Sequence, residues 1–356
     1  MGEATWHIRI LDQDGALVAI LDRYEEFHLI RQVNGVGSFG ILLSGENPKA
    51  DLFELDGQIE FWRRYQMHDL DWYVEFGGFY RDARWFLDDQ DNLQMEAIGL
   101  GWNHLLARRI IVGAKAASWE KSDKAETITK EIVTEQCVTR AALHQFSVQA
   151  DAANGPNVAM ARHYRNVLEV CQEIASIGEG DFAVVNTAAA TFQFRWYDGQ
   201  LGTDRSATVI FATERGNMRR ASLSLRRTPE ISAVLAGGRE LAEDRAQVWS
   251  TSAPRIAESN WNRLEAFRDS RMSPDADLPD EGLEMLEAGR PKFEVSFEVM
   301  QTPSTLYGVD YFLGDLVTAR FHGYEATRKV TKVVIDVESR GEGESVEQIQ
   351  IVTEEV

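Results

Sequence analysis

The sequence predicts a mainly β fold of the α+β class, with a strand-rich unit at each end and a smaller helix-containing region between them. Three observations predict it. Short runs of alternating apolar and polar residues, broken by turn residues, fill positions 5 to 110. Helical spacing takes over between about 123 and 177. Alternation then returns and continues, with one acidic interruption, to the C-terminus.

In the first stretch, Thr5 to Leu11 and Ala16 to Leu21 flank the turn Asp12-Gln13-Asp14-Gly15, a hairpin signal. Glu26 to Val33 and Ser38 to Leu43 follow across Asn34-Gly35-Val36-Gly37, then Gln58 to Tyr65 and Trp72 to Phe79. Arg81 to Leu87 and Leu93 to Ile98 are joined by the polar loop Asp88 to Asn92. Turn signals at this spacing predict a sandwich or small barrel.

In the middle, Asp123 with Glu126 three positions on resembles a capping box, and Ala125, Ile128 and Ile132 recur at helical spacing. Asp151 to Asn157 reads as an exposed loop. His163 to Ile177 is the clearest helix, with Tyr164, Val167, Leu168, Cys171, Ile174 and Ala175 on one face and Gly178 at its stop. Strands resume at Asp181 to Asn186, Thr191 to Tyr197 and Ser206 to Thr213.

In the last third, Glu230 to Leu235 and Arg245 to Ser250 alternate, Asn260 to Arg271 reads as a short helix, and Ser273 to Gly282 as a Pro-containing loop. Phe293 to Met300, Asp315 to Phe321, Thr327 to Glu338 and Val346 to Val352 form the second strand-rich unit. The divisions fall at residues 1–112, 113–225 and 226–356, with helices near 123–138 and 163–177 and an acidic excursion near 251–290. No repeat of fixed period appears.

Composition narrows the function. The 356 residues are 44% hydrophobic and 26% charged, with a formal net charge of −20. Such a chain repels phosphate, which argues against sequence-specific nucleic-acid binding through a basic face. No stretch approaches the roughly 20 apolar residues that span a bilayer, and Met1 to Trp6 lacks the basic and apolar parts of a signal peptide. Synthesis in a cytoplasm is expected. Cys137 and Cys171 fall on two different predicted helices and read as small buried core residues.

The chemistry-bearing patterns fail in turn. Gly35-Val36-Gly37-Ser38-Phe39-Gly40 matches a dinucleotide fingerprint, but a strand follows it where a helix is needed to hold a pyrophosphate. Asp88 with Asp89, and Asp69 with Asp71, are pairs that 57 acidic residues make inevitable. Asp198-Gly199-Gln200-Leu201-Gly202-Thr203-Asp204 lacks the alternating ligands of a calcium loop and reads as a hairpin loop. His7, His28, His68, His104, His144, His163 and His322 show no zinc spacing. Aromatic pairs such as Phe61-Trp62 and Trp72-Tyr73 read as core or subunit interface rather than a carbohydrate platform. No catalytic, cofactor-binding or metal residue is assigned, and no enzyme is expected.

Several segments nevertheless resemble one family. Phe39-Gly40-Ile41-Leu42-Leu43, then Asn47 to Leu52 and Gln58-Ile59-Glu60-Phe61, is similar to the opening of siphophage baseplate hub (tail-tip) proteins, relatives of the hubs of contractile tails. Phe76-Gly77-Gly78-Phe79-Tyr80, Ile98-Gly99-Leu100-Gly101 and Leu105 to Ile110 follow in the family's order. So do Leu168 to Gly178, Phe182-Ala183-Val184, Phe192-Gln193-Phe194, Ala236 to Leu241 and Tyr307 to Val317. The individual motifs are loose, and their order carries the resemblance.

The resemblance implies two related antiparallel β-barrel or sandwich-like hub domains, 1–112 and 226–356, separated by an α/β region. It further implies a homotrimer whose six barrels close a ring at the virion tail tip. The implied partners are a distal tail protein, a tape-measure protein and tail fibre or receptor-binding proteins, with DNA passing through without sequence-specific binding. An acidic lumen that does not trap DNA is expected, as is the absence of a fibre or lysin domain beyond Val356. Gly308, Gly314 and Asp315 are expected to make a tight bend before the strand Leu316 to Phe321, as structural residues. The alternatives from other classes are a tail-associated cell-wall hydrolase and a receptor- or carbohydrate-binding tail protein.

Overall fold

The computed structural model describes residues 4–65, 71–113, 119–162, 164–239, 245–271, 275–341 and 344–355. The fold is mostly β. The strands in chain order are β1 (Ala4–Leu11), β2 (Leu17–Leu21), β3 (Glu26–Gln32), β4 (Ser38–Ser44), β5 (Gln58–Tyr65), β6 (Tyr73–Leu87), β7 (Leu93–Gly101), β8 (Trp119–Lys124), β9 (Phe146–Val148), β10 (Asn157–Arg162) and β11 (Gly180–Ala188). They continue with β12 (Thr191–Asp198), β13 (Ile210–Ala212), β14 (Met218–Arg226), β15 (Ala233–Gly237), β16 (Gln247–Thr251), β17 (Glu265–Asp269), β18 (Lys292–Val299), β19 (Leu316–Phe321), β20 (Tyr324–Gly341) and β21 (Glu344–Glu355). The helices are α1 (His104–Ala107), α2 (Ala125–Val133), α3 (Val167–Ile177), α4 (Ala253–Ala257) and α5 (Leu278–Ala288), and a π-helical turn, Thr134–Arg140, continues α2.

The chain forms two compact units, Met1–Ala221 with Ser296–Glu354, and Ser222–Val295. These cut the chain differently from the three-part reading of the sequence, because the strands after residue 315 do not stand alone. Among the described residues one sheet runs in the order β14-β18-β21-β20-β3-β4-β7-β6-β5-β1-β2, with β19 on β20 and β13 on β19. The antiparallel pair β20–β3, Leu29 opposite Ile335 and Phe27 opposite Val337, joins its C-terminal and N-terminal strands. Alternation decides which face is buried. Trp6, Ile8, Ile10, Phe27, Leu29, Phe39, Ile41 and Phe61 all point inward and are nearly inaccessible. Trp6 meets Phe27 with ring centroids 5.1 Å apart, and Phe61 meets Phe27 at 5.2 Å and Phe39 at 5.3 Å. Rings from strands at opposite ends of the N-terminal hairpins thus share one core, so the sheet curls around them.

The rest of this unit is a smaller layer: the sheets β11-β12-β9 and β10-β8, with α2 and α3. Ile128, Ile132, Val167, Val170 and Ile174 bury the apolar stripes of the two helices against Phe182 and Phe194. Cys137 and Cys171 lie in this core as free thiols, and burial pushes Cys137 up to about 12. Asn166 starts α3 by accepting the Leu168 N–H at 2.9 Å, and Gly178 follows its last turn.

The second unit carries the three-stranded sheet β16-β15-β17, with β15 parallel to β17 and antiparallel to β16. Helix α5 covers one face, burying Leu278 and Leu286, and Gly282 lets it approach Ser250 and Ala236.

The structure corrects several expectations. Trp72 to Phe79 and Arg81 to Leu87 are one continuous strand, β6, with a register shift between Tyr80 and Asp82 in place of a turn. The capping box at Asp123 does not form; Lys124 occupies the cap, and Glu126 instead accepts the N–H groups of Ala152 and Asn154. Helix α3 begins at Val167, so Tyr164 is exposed with positive φ, and His163 lies outside the described residues. Ser206 to Thr213 reduces to β13, and β8, β9, β10 and β14 had no counterpart in the sequence reading. Asn260 to Arg271 is a turn and strand β17, because residues 261–269 alternate in exposure with period two. Most of Ser273 to Gly282 leads into or forms α5, where Pro279 sits in the first turn that tolerates it; residues 272–274 lie outside the described residues. The loop Asp198 to Asp204 is no hairpin, since the strand after it, β13, runs parallel to β19.

Candidate functional site: the seam between N-terminal and C-terminal strands

Arg63 lies on the inward parity of β5, between Phe61 and Tyr65, and is fully buried. A buried guanidinium needs every donor used and its charge balanced. Its Nε donates to Glu347 Oε2 at 2.9 Å and its Nη2 to Glu347 Oε1 at 2.6 Å, a two-point grip on β21. Nη1 donates to the Tyr73 hydroxyl at 3.0 Å and to the Tyr307 carbonyl at 2.8 Å, and Nη2 also reaches the Tyr65 hydroxyl. Glu75 on β6 is equally buried and accepts from the hydroxyls of Tyr307 at 2.7 Å and Tyr73 at 2.9 Å and from Arg31 of β3. Burial alone would raise the Glu75 carboxyl, but Arg31 and Arg63, with the two hydroxyls, hold it below the usual carboxylate range. Burial pushes the phenols of Tyr65 and Tyr73 above their ordinary range, so both stay neutral donors. Two arginines and two glutamates thereby tie β3, β5 and β6 to residues 307 and 347.

Of the bend residues read from the sequence, Gly308 sits on this seam, and Gly314 and Asp315 sit against the loop after β12. Gly308 has φ +84°, and a Cβ there would overlap the Tyr73 hydroxyl and the Arg63 guanidinium. Gly314 has φ +90° and donates to the Val330 carbonyl at 2.9 Å. Asp315, also buried, accepts from Thr203 N at 2.6 Å, Arg205 Nε at 2.9 Å and Phe312 N at 2.9 Å. It therefore fixes the loop after β12 to the start of β19. A second tie runs through Asp181, which accepts from Asn34 Nδ2 at 2.9 Å, Leu201 N at 2.7 Å and Lys329 Nζ at 2.6 Å. These contacts tie strands and loops that are distant in sequence to one another. Among the described residues no three His, Cys, Asp or Glu side chains converge as a metal site, and no helix is long and apolar enough to cross a membrane.

Arg63 and Glu75 were missed in the sequence. The signal was present: in Phe61-Trp62-Arg63-Arg64-Tyr65 the alternation that buries Phe61 and Tyr65 also buries Arg63. Its partners, up to 284 positions away, leave no local trace.

Solved structures resemble this fold over nearly its whole length. A tail protein from Neisseria meningitidis MC58 matches with a TM-score of 0.61 at 12% identity, over 99% of this chain and 96% of that one. The 43 kDa tail protein of prophage MuSo2 from Shewanella oneidensis matches with a TM-score of 0.64 at 9% identity, over 98% of each chain. A chain of the half-lidded Francisella PdpA–VgrG complex matches with a TM-score of 0.58 at 9% identity, over all of this chain and 58% of that one. At such identities each is a likeness of fold. No curated protein matches the sequence. Residues 7–347 match the Siphovirus ReqiPepy6 Gp37-like protein family. That match takes in almost the entire chain, which therefore belongs to this family of siphovirus tail proteins.

Proposed function

We propose that the chain is a baseplate hub subunit: three copies close a ring at the tail tip that ends the tail tube and leaves a channel for DNA. The observation that supports this reading is the likeness of the whole chain to phage tail proteins and to part of a VgrG-complex chain. A sheet that recruits strands from both ends of the sequence, locked by buried ion pairs, suits a rigid wall segment. In this reading the N-terminal strands β1 to β7 and the C-terminal strands β19 to β21, which share one sheet, supply the wall segments of each copy. The chain's work is geometric rather than catalytic. The distal tail protein, the tape-measure protein and tail fibre or receptor-binding proteins are its neighbours. The net charge of −20 supports a lumen that DNA slides past. Immunogold labelling of virions with antibody against the chain tests this: gold at the distal end of the tail is expected, and gold on the capsid or along the tail shaft would overturn it.

One observation favours a second reading, a carbohydrate-binding tail protein. In the second unit Trp249, Leu235 and Phe267 form a row across the open face of the sheet, and Trp249 and Phe267 are half exposed. Binding of the purified chain to host-envelope glycans, lost in Trp249→Ala, is what that reading requires.

A further inference from the structure

The outer face of the N-terminal strands carries a feature at odds with the chain's charge. Outward-pointing residues of β1 and β5 are paired in register, His7 with Trp62 and Arg9 with Glu60. His7 stacks on Trp72 at 4.0 Å and 17° between planes, Arg64 lies over the same Trp72 ring at 5.0 Å, and Arg9 lies over Trp62 at 4.0 Å. Among the described residues neither Arg9 nor Arg64 forms an ion pair with a carboxylate, and Arg64 Nε is buried without a hydrogen-bond partner. Glu60, the nearest acid in register, is engaged by Trp62 Nε1 at 2.7 Å. Burial, then Arg9 and Arg64, lower the His7 pKa, so the two arginines supply the patch's charge. Ile20 of β2, opposite Arg9, and Val74 of β6, opposite Trp62, extend the face with half-exposed apolar side chains. Tryptophan and arginine in a partly desolvated cluster are what protein contacts are built from.

A different stretch of the same outer face is its electrostatic opposite. A groove of about 450 Å³ is lined by Glu26, His28, Glu96, Asp336 and Glu338. Glu26 and Glu338 stand directly across from each other on β3 and β20. Like charges so placed repel, and neither has a basic partner among the described residues. His28 is taken by Asp336, and Arg84 is 3.9 Å from Glu96. Among the described residues the groove therefore holds two carboxylates without an ion pair, and the Trp–Arg face holds two guanidinium groups without one, with Glu60 across from Arg9 as that face's one acid in register.

We infer that these two faces are partners across copies: the Arg9–Trp62–Arg64–Trp72 face of one chain docks into the Glu26–Glu338 groove of the next. The inference rests on the ring reading and supplies its contact. Because the two patches differ, the interface is heterologous, and repeating it head to tail closes a ring when the rotation allows. Arginine suits the role, since its planar fork grips carboxylates at two points and stacks on tryptophan.

The test measures the mass of the full chain in solution against concentration, for the wild type, Arg9→Glu with Arg64→Glu, Glu26→Arg with Glu338→Arg, and all four together. The wild type is expected to associate, each pair of reversals to weaken association about tenfold or more, and the fourfold variant to recover it. Circular dichroism establishes that each variant is folded. A salt series on the wild type needs no variant. This contact weakens as salt screens it, whereas an apolar contact between two chains of like net charge strengthens. Association untouched by the reversals, or rising with salt, overturns the face assignment and leaves the ring standing. A wild type that stays a single chain at every concentration overturns both.

Discussion

Two regions of the first unit bury opposite charges, and they do so differently. At the seam, Arg63, Glu75, Arg31 and Glu347 join strands separated by up to 284 positions, with three tyrosine hydroxyls completing the set. In the middle region, Glu126 and Lys130 pair one helical turn apart, and the loop between β9 and β10 closes over them: Lys130 reaches the Ala150 carbonyl at 2.7 Å and Asn154 donates to Glu126 at 2.9 Å. Both are almost inaccessible. The local pair orders one helix and its loop, while the seam network decides whether the two ends of the chain share a sheet.

The largest expected effect breaks that contrast at its centre. Glu75→Ala takes the carboxylate from Arg31, leaves Arg63 with Glu347 alone and strands the Tyr73 and Tyr307 hydroxyls, and should cost roughly 3–5 kcal/mol in denaturant unfolding. Glu126→Gln should cost less, about 1–3 kcal/mol, because its amide oxygen still accepts from the backbone N–H groups and Lys130 keeps the Ala150 carbonyl. Equal losses would mean that the seam is no more cooperative than one helical turn. The pH dependence sharpens the comparison. Glu75 has a folded pKa below its ordinary 4.5. Between the two values the unfolded chain binds a proton that the folded chain does not. The stabilisation is thus complete above that ordinary value and is lost as pH falls through the folded one. Unfolding midpoints measured across this range should fall steeply in the wild type and less so in Glu75→Gln. The smallest effect is at the α3 cap, where Asn166→Ala should cost about 1 kcal/mol without changing the pH profile.

Much of this architecture was legible because alternation is a local signal. The hairpin of β1 and β2, the acidic loop after β6 and the strand following Gly35 to Gly40 could all be read from neighbouring residues. The loop's Asp88 indeed accepts from the N–H groups of Gln90 and Asn92. Where competing periods coexist, the reading failed. Trp261, Leu264 and Phe267 are spaced for a helix, yet parallel pairing of Phe267 with Leu235 makes the segment a strand. Gly77 and Gly78 lie inside the strand read over Trp72 to Phe79, a segment in which glycine is costly. They are strand residues with no side chain because Trp102 packs on one and the Leu100 backbone on the other. The sharing of one sheet by β3 and β20 rests on pairings some 300 positions apart, which no local pattern carries. The seam charges were half legible: parity placed Arg63 inside, but nothing nearby named Glu347.

The central claim is that copies of this chain form a closed wall around a hole. Negative-stain images of the purified full-length chain, averaged without imposed symmetry, test it most directly. Ring-shaped particles with threefold symmetry and a stain-filled centre are expected. Solid single-chain particles at every concentration imaged would contradict it.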